Sequence, residues 1–310
     1  MSQTTGKIGA SPHLALIAVQ LIFGTWGIPA KIVLRVMPVF GLSALRIAGA
    51  AAMLTIICKL RGGIARINQN DWLLLVVCAM LGVVFNQWLF AKGLSLTTVV
   101  NTVLISTTIP VFTLLIGALI GTERASIRRL IGIALAAVGV FYLIGPAHAD
   151  LANGSRLGDL LILASAFMYG AYIAFSKKLV HSYGALTTTT WIFIIAIIPT
   201  APIGIASTLH TSFANVHFSF WLATLYILLV PTVLAYYLNA WALSRVPPST
   251  VAVYIYLQPL IAFALAPIML GESLGLRAVV ASLLIFAGVI IVTRRSSSKA
   301  ADQVEVLKSV

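Results

Sequence analysis

Residues 97–123 read TTVVNTVLISTTIPVFTLLIGALIGTE. No Asp, Glu, Lys or Arg falls between Lys92 and Glu123. At about 1.5 Å rise per residue, the apolar part is long enough as a helix to cross the roughly 30 Å hydrocarbon core of a bilayer. Pro110 sits near the middle, where it removes a backbone hydrogen bond. On its N-terminal side cluster Asn101, Thr102, Ser106, Thr107 and Thr108. Polar groups at that depth need partners inside the protein or in a water-filled space, so the stretch points to a spanning helix beside an interior cavity.

The same stretch has an echo. Ser95, Pro110, Glu123, Arg128 and Gly139 recur as Ser244, Pro259, Glu272, Arg277 and Gly288, each 149 residues further on (259 less 110, and 272 less 123). Leu89/Leu238, Ala91/Ala240 and Leu94/Leu243 keep that offset. One ungapped interval held over so many positions is an internal duplication, the pattern of many secondary transporters.

Composition excludes a water-soluble fold. Of 310 residues 60% are hydrophobic and 9% charged, with mean hydropathy +1.06, whereas soluble chains carry about 25% charged residues. The net charge of +13 reflects basic cytoplasmic loops rather than nucleic-acid binding, since no basic cluster has interleaved aromatics or a recognisable module. Cys58 and Cys78 lie in or at the edge of apolar spans, without disulfide or metal-ligand spacing. The apolar run from Leu14 continues to about Ile32 without a small-residue cleavage site, which makes it an uncleaved first helix.

The pattern predicts an all-α polytopic membrane protein with ten spans, near 14–35, 41–59, 72–92, 97–120, 127–145, 158–179, 185–207, 218–243, 249–270 and 275–293. Residues 1–145 form a first five-helix unit, 158–293 a second, and 294–310 a polar cytoplasmic tail. With this register the termini and even-numbered loops hold fourteen basic residues and the odd loops five. The asymmetry places both termini in the cytoplasm, in the manner of a bacterial inner-membrane protein. Five is odd, so the second unit enters the membrane upside down and the repeats are inverted.

Ala91-Lys-Gly-Leu-Ser95, Pro110, Gly121-Thr-Glu-Arg124 and the run from Gly132 to Gly139 resemble the signature of an EamA domain. Ala242-Leu-Ser244, Pro259, Gly271-Glu-Ser273 and Gly288 repeat its plan. Over about residues 14–293 the chain resembles the EamA family of the drug/metabolite transporter superfamily. The resemblance implies a basket of two inverted five-helix units, with spans 1–4 and 6–9 around a central cavity and spans 5 and 10 outside it. It also implies export of amino acids or other small metabolites. Tyr254, Tyr256 and Gln258 stand where the first repeat has Ile105, Thr107 and Ile109, so the two walls differ chemically.

Helical spacing sorts the polar residues into faces. Gln20, Gly24, Gly27 and Lys31 share one stripe, and Ser165, Tyr169, Tyr172 and Ser176 another. Asn86, Gln87, Asn101, Thr108, Tyr169, Tyr172, Tyr237, Trp241, Tyr254 and Gln258 are the candidate cavity residues. Gly24, Gly27, Ser165 and Ser176 also suit close helix packing, and Trp72, Trp221 and Tyr226 suit interfacial anchoring. Arg46 and Lys31 either snorkel to outer headgroups or meet a substrate carboxylate or phosphate. Pro110 and Pro259 either kink helices for packing or mark a gate. Glu123 and Glu272 close their helices as loop anchors.

The function expected is a secondary transporter of small metabolites such as amino acids, an exporter or facilitator working by alternating access. A nucleotide-sugar or sugar-phosphate antiporter is the alternative that the pair Arg46 and Lys31 would suit, and a channel is a further one. The five histidines fall at span ends or in loops, and no HExxH, Ser-His pair or deep carboxylate is available for catalysis. The reading therefore calls for no enzyme activity, no cofactor and no metal. Its partners are a small-molecule substrate and the lipid bilayer, with no nucleic acid.

Overall fold

Thr98 opens the helix that carries Pro110. Its extended backbone leaves the side-chain oxygen free to accept from the Asn101 amide at 3.0 Å, a side-chain N-cap. The helix runs to Ser106, turns at Thr107 and Thr108, and resumes at Ile109 with Pro110 in its first turn. Ser106, Thr107 and Thr108 hydroxyls donate back to the carbonyls of Thr102, Leu104 and Ile105 at 2.7, 2.5 and 2.7 Å. The hydroxyls take up backbone acceptors around the interruption where lipid offers no donor.

A computed structural model of the chain describes residues 10–121, 155–214, 216–246, 248–258 and 275–293, together with isolated positions between 127 and 142 and at 268. Seven helices among the described residues are long and apolar enough to cross a membrane. They are α1 (Ser11–Leu34), α2 (Val39–Leu60), α3 (Gln69–Leu96), α4 (Val99–Leu119), α5 (Arg156–Tyr183), α6 (Ala185–Thr208) and α7 (Phe218–Leu243). A short helix α8 (Pro248–Val253) passes into a 3-10 turn at Tyr254–Leu257, and α9 covers Leu276–Thr293. No strand occurs among the described residues. Thus α1–α4 match the first four predicted spans, α5–α7 the sixth to eighth, and α9 the tenth. The predicted span at 127–145 and the second half of that at 249–270 lie largely outside the described residues.

Two helices contain a wide π turn. In α3 it covers Met80–Phe85, and in α7 it covers Leu228–Leu234 around Pro231. Shifted by 149 positions, residues 80–85 fall on 229–234, inside the second turn. A π turn inserts one residue into the helical register and rotates everything after it, so each helix changes its inward face there. Thr232 donates to the Ile227 carbonyl across this turn at 2.7 Å.

The helices pack as α2 on α6, α3 and α4 on α5, and α1 on α7. Small residues permit the closest of these approaches: a Cβ added at Gly204 would lie 2.1 Å from Ala44 Cβ and 2.9 Å from the Phe40 carbonyl oxygen. Gly184 alone joins α5 to α6, and its φ of 78° is a conformation that glycine reaches without Cβ strain. The outside is apolar. Leu73, Ile198, Leu222 and Leu283 are each more than half exposed, a surface suited to acyl chains and not to water. The chain is an integral membrane protein.

At one end of the bundle, Lys178 Nζ donates to Asp71 Oδ1 at 2.6 Å and Tyr183 OH donates to Asp71 Oδ2 at 2.7 Å, tying the start of α3 to the end of α5. Lys177 caps the carbonyls of Leu243 and Val246 at the end of α7, at 2.6 and 2.9 Å.

Candidate functional site

A cavity lies among α1–α5, α7 and the α8 region, with about 80 Å3 open to the centres of water-sized molecules. One water requires about 10–15 Å3 by that measure, so the space suits several waters or a small metabolite. Its wall combines aromatic rings with a few amides and one guanidinium.

Arg46, on α2, is 5% exposed. Its Nε donates to Thr232 Oγ1 at 2.8 Å and its Cζ lies 4.3 Å from the centroid of the Trp26 ring. Thr232 is held in turn by the π turn of α7, and Trp26 packs against Phe90 at 5.5 Å. The guanidinium is therefore fixed from two helices, by a hydroxyl on one side and a π face on another.

The amides follow a similar plan. Asn86 Nδ2 donates to Ser165 Oγ and to the Ser165 carbonyl at 2.9 and 3.1 Å, joining α3 to α5. Asn239 Nδ2 donates to Tyr169 OH at 3.1 Å, and Tyr236 OH donates to the Gly82 carbonyl, within the π turn of α3, at 3.1 Å. Gln258 Nε2 donates to Gln20 Oε1 at 2.6 Å, linking the residue after the 3-10 turn to α1. Gln87 differs. It is 3% exposed; among the described residues neither its Nε2 nor its Oε1 makes a well-formed hydrogen bond, and the Tyr236 hydroxyl is the one polar group that its amide approaches.

Ten lining residues form five pairs at the interval found in the sequence: Gln20 and Tyr169, Gln87 and Tyr236, Phe90 and Asn239, Ser106 and Ile255, Ile109 and Gln258. In each the second number less the first is 149, as 169 less 20 or 258 less 109. The same interval thus also relates lining residues on α1 and α5.

Of the residues expected at the cavity from sequence, Arg46, Asn86, Gln87, Tyr169 and Gln258 line it together. The others lie elsewhere. Lys31 Nζ donates to the Thr97 carbonyl at 2.7 Å, at the α3–α4 connection. Asn101 Nδ2 donates to both oxygens of Asp159, at 3.3 and 3.2 Å, and Thr97 Oγ1 donates to the same carboxylate at 2.5 Å. Thr108 is buried and spends its hydroxyl on Ile105. Tyr172 is buried against Gly82, where an added Cβ would meet its ring at 2.4 Å. Tyr237 packs on the apolar core, and Trp241 lies under the Arg245 guanidinium at 3.9 Å. Tyr254 OH meets His13 Nδ1 at 2.7 Å. Pro110 stands at the helix interruption, and Pro259 lies outside the described residues.

Sequence reasoning passed over Tyr236 and Asn239 as site residues. They stand at i and i+3 and so share a face, a spacing that was available to be read. Ser165, read as a packing residue, lines the cavity through its bonds with Asn86.

A cavity walled by aromatic rings, a few amides and one guanidinium, set among apolar spanning helices, is the arrangement of a membrane transport protein. The EamA-like transporter family matches residues 10–145 and 156–294, and the chain belongs to that family. A transporter of Archaeoglobus fulgidus, named only as uncharacterized, is 28% identical over 292 residues, covering 93% of this chain and 99% of its own. A probable amino-acid metabolite efflux pump of Salmonella typhimurium is 32% identical over 190 residues, covering 58% of this chain and 62% of its own. A probable terminal-alkyne amino-acid exporter of Streptantibioticus cattleyicolor is 26% identical, over 83% of this chain and 85% of its own. A crystal structure sharing 19% identity overlays with a TM-score of 0.67, over 91% of this chain and 97% of that one, a likeness of fold.

Proposed function

We propose that this protein is a secondary transporter exporting or facilitating the passage of small metabolites of the amino-acid type, by alternating access between two inverted five-helix repeats. The observation that carries the reading is the set of five lining pairs, each 149 residues apart, around one cavity. Equivalent positions of two repeats converge on one space when that space lies between the repeats, where rocking of one against the other exposes it to either side. The equivalent π turns in α3 and α7 add a shared helical irregularity beside it. Residues 1–145 and 158–293 are the two units in this reading, in a bacterial inner membrane with both termini cytoplasmic, as the basic residues favour.

The substrate class is supported by the names of the Salmonella and Streptantibioticus relatives and by the small cavity volume. A nucleotide-sugar antiporter fits less well, because Lys31 is engaged with Thr97 away from the cavity. The test is counterflow in proteoliposomes loaded with an unlabelled amino acid and offered the labelled one. Transient saturable accumulation of a subset of amino acids is the expected result. Flux that rises linearly with concentration, without counterflow, would identify a channel and overturn the reading.

A further inference from the structure

Arg46 brings a full positive charge into a cavity whose described wall carries no carboxylate. A guanidinium taken out of water into a membrane protein is costly unless an anion or a dense set of acceptors receives it. Here its Nε has the Thr232 hydroxyl and its face has Trp26, but no hydrogen bond engages its terminal nitrogens among the described residues. Neither described carboxylate lines the cavity: Asp71 is paired with Lys178 and Tyr183, and Asp159 receives Thr97 and Asn101. The same cavity holds Gln87, nearly fully buried, whose amide nitrogen has only a loose approach to the Tyr236 hydroxyl and whose carbonyl oxygen is unused among the described residues. A buried amide with an unused carbonyl oxygen calls for a partner beyond the described residues, which a molecule in the cavity can supply.

We propose that the cavity anchors its ligand by a carboxylate received on the terminal nitrogens of Arg46, while the Gln87 carbonyl oxygen accepts from an adjacent ammonium or hydroxyl of the same ligand. The planar guanidinium fork matches a carboxylate in two parallel hydrogen bonds. Thr232 and Trp26 hold the fork from its other edges, so its open side is preset for the anion. Phe23, Phe90 and Tyr236 then present apolar surface to the rest of the molecule. Nothing on the described wall balances a second positive charge. A ligand of net charge zero or minus one fits, and an amine without a carboxylate does not.

This inference rests on the transporter reading for its substrate class, but its test does not require transport. Purified full-length protein in detergent is titrated with L-leucine, 4-methylvalerate and isoamylamine, and binding is read from thermal unfolding and calorimetry at constant ionic strength. Leucine and 4-methylvalerate are expected to stabilise the wild type and isoamylamine is not. Arg46→Gln should weaken carboxylate binding at least ten-fold and Arg46→Lys less, while Gln87→Leu should weaken leucine more than 4-methylvalerate. Because Arg46→Gln risks misfolding, Gln87→Leu and Arg46→Lys give independent readouts in folded protein. Binding of isoamylamine as tight as that of leucine, failure of both carboxylates to bind, or unchanged carboxylate affinity in folded Arg46→Gln would overturn the proposal. Leucine transport at the wild-type rate by Arg46→Gln would refute the anchor and leave the transporter reading standing. Arg46-dependent carboxylate binding without counterflow would do the reverse.

Discussion

Gln258 donates its side-chain amide to the Gln20 carbonyl oxygen at 2.6 Å, across 238 residues of sequence, and both side chains are nearly fully buried at the cavity wall. The bond fastens the residue just after the 3-10 turn that follows α8 to the middle of α1. Losing one partner leaves the other amide buried and unsatisfied, whereas losing both together removes the demand. Gln258→Leu or Gln20→Leu alone should therefore lower stability in detergent by about 1–2 kcal/mol, and the double variant should recover most of the loss. Thermal unfolding of the four proteins closes the cycle. Strictly additive losses would show that the two amides act independently.

Tyr236 and Asn239 line the cavity, while Tyr237 and Trp241 on the same helix do not. Asn239→Leu strands the Tyr169 hydroxyl, and Tyr236→Phe releases the Gly82 carbonyl. Each should lower transport several-fold at matched membrane expression, since one buried hydrogen bond contributes about 1 kcal/mol. Tyr237→Ala should retain most activity. Initial rates in proteoliposomes compare the three, and a larger effect at Tyr237 than at Tyr236 would reverse the assignment of faces.

Gly204 packs so closely on α2 that an added methyl meets both Ala44 and the Phe40 carbonyl oxygen. The side-chain overlap can be relieved by trimming Ala44, but the backbone oxygen cannot retreat without moving α2. Gly204→Ala should cost about 1–3 kcal/mol. Adding Ala44→Gly should return only part of it, as thermal unfolding will report.

The distribution of basic residues sets a test of orientation. Asn68, between α2 and α3, should face the cytoplasm, and Ser212, between α6 and α7, should face outside; both are exposed. Cysteines placed at these two positions should react with an impermeant maleimide from opposite sides of an intact membrane. Cys58 and Cys78, 1% and 0% exposed, give a silent background. Reaction of both new cysteines from one side would contradict the arrangement of spans.

Much of this architecture is legible in sequence because its determinants are local. Length and hydropathy mark α1–α7, and Pro110 with its three neighbouring hydroxyl residues marks the interruption of α4. Arg46, on the regular helix α2, is found by charge and depth alone. Which face of a segment turns inward is harder to read. Tyr236, Tyr237, Asn239 and Trp241 lie together in the regular segment Ala235–Leu243, where spacing groups Tyr237 with Trp241 and Tyr236 with Asn239 equally well, and only packing selects the second pair for the cavity. Long polar side chains also escape such reading. Lys31 reaches a carbonyl 66 residues away, and Asn101 turns to Asp159 instead of to the cavity. Only the packing of whole helices decides these partners.

The last prediction concerns the driving force. Among the described residues no carboxylate or histidine lines the cavity; its ionisable groups are Arg46, Tyr169 and Tyr236, none of which an ordinary proton gradient titrates in its normal range. Proton-driven carriers tie ionisation of an intramembrane acid to the conformational switch. Asp159 is the buried acid nearest to such a role, but it sits at the start of α5, bonded to Thr97 and Asn101. Glu123 and Glu272 lie outside the described residues. The protein should thus act as a facilitator or exchanger that follows the substrate gradient. In proteoliposomes at clamped membrane potential, labelled leucine should equilibrate to the same level with and without an imposed pH gradient. Accumulation above equilibrium under the proton gradient, lost in Asp159→Asn, Glu123→Gln or Glu272→Gln, would establish proton coupling and identify the acid that carries it.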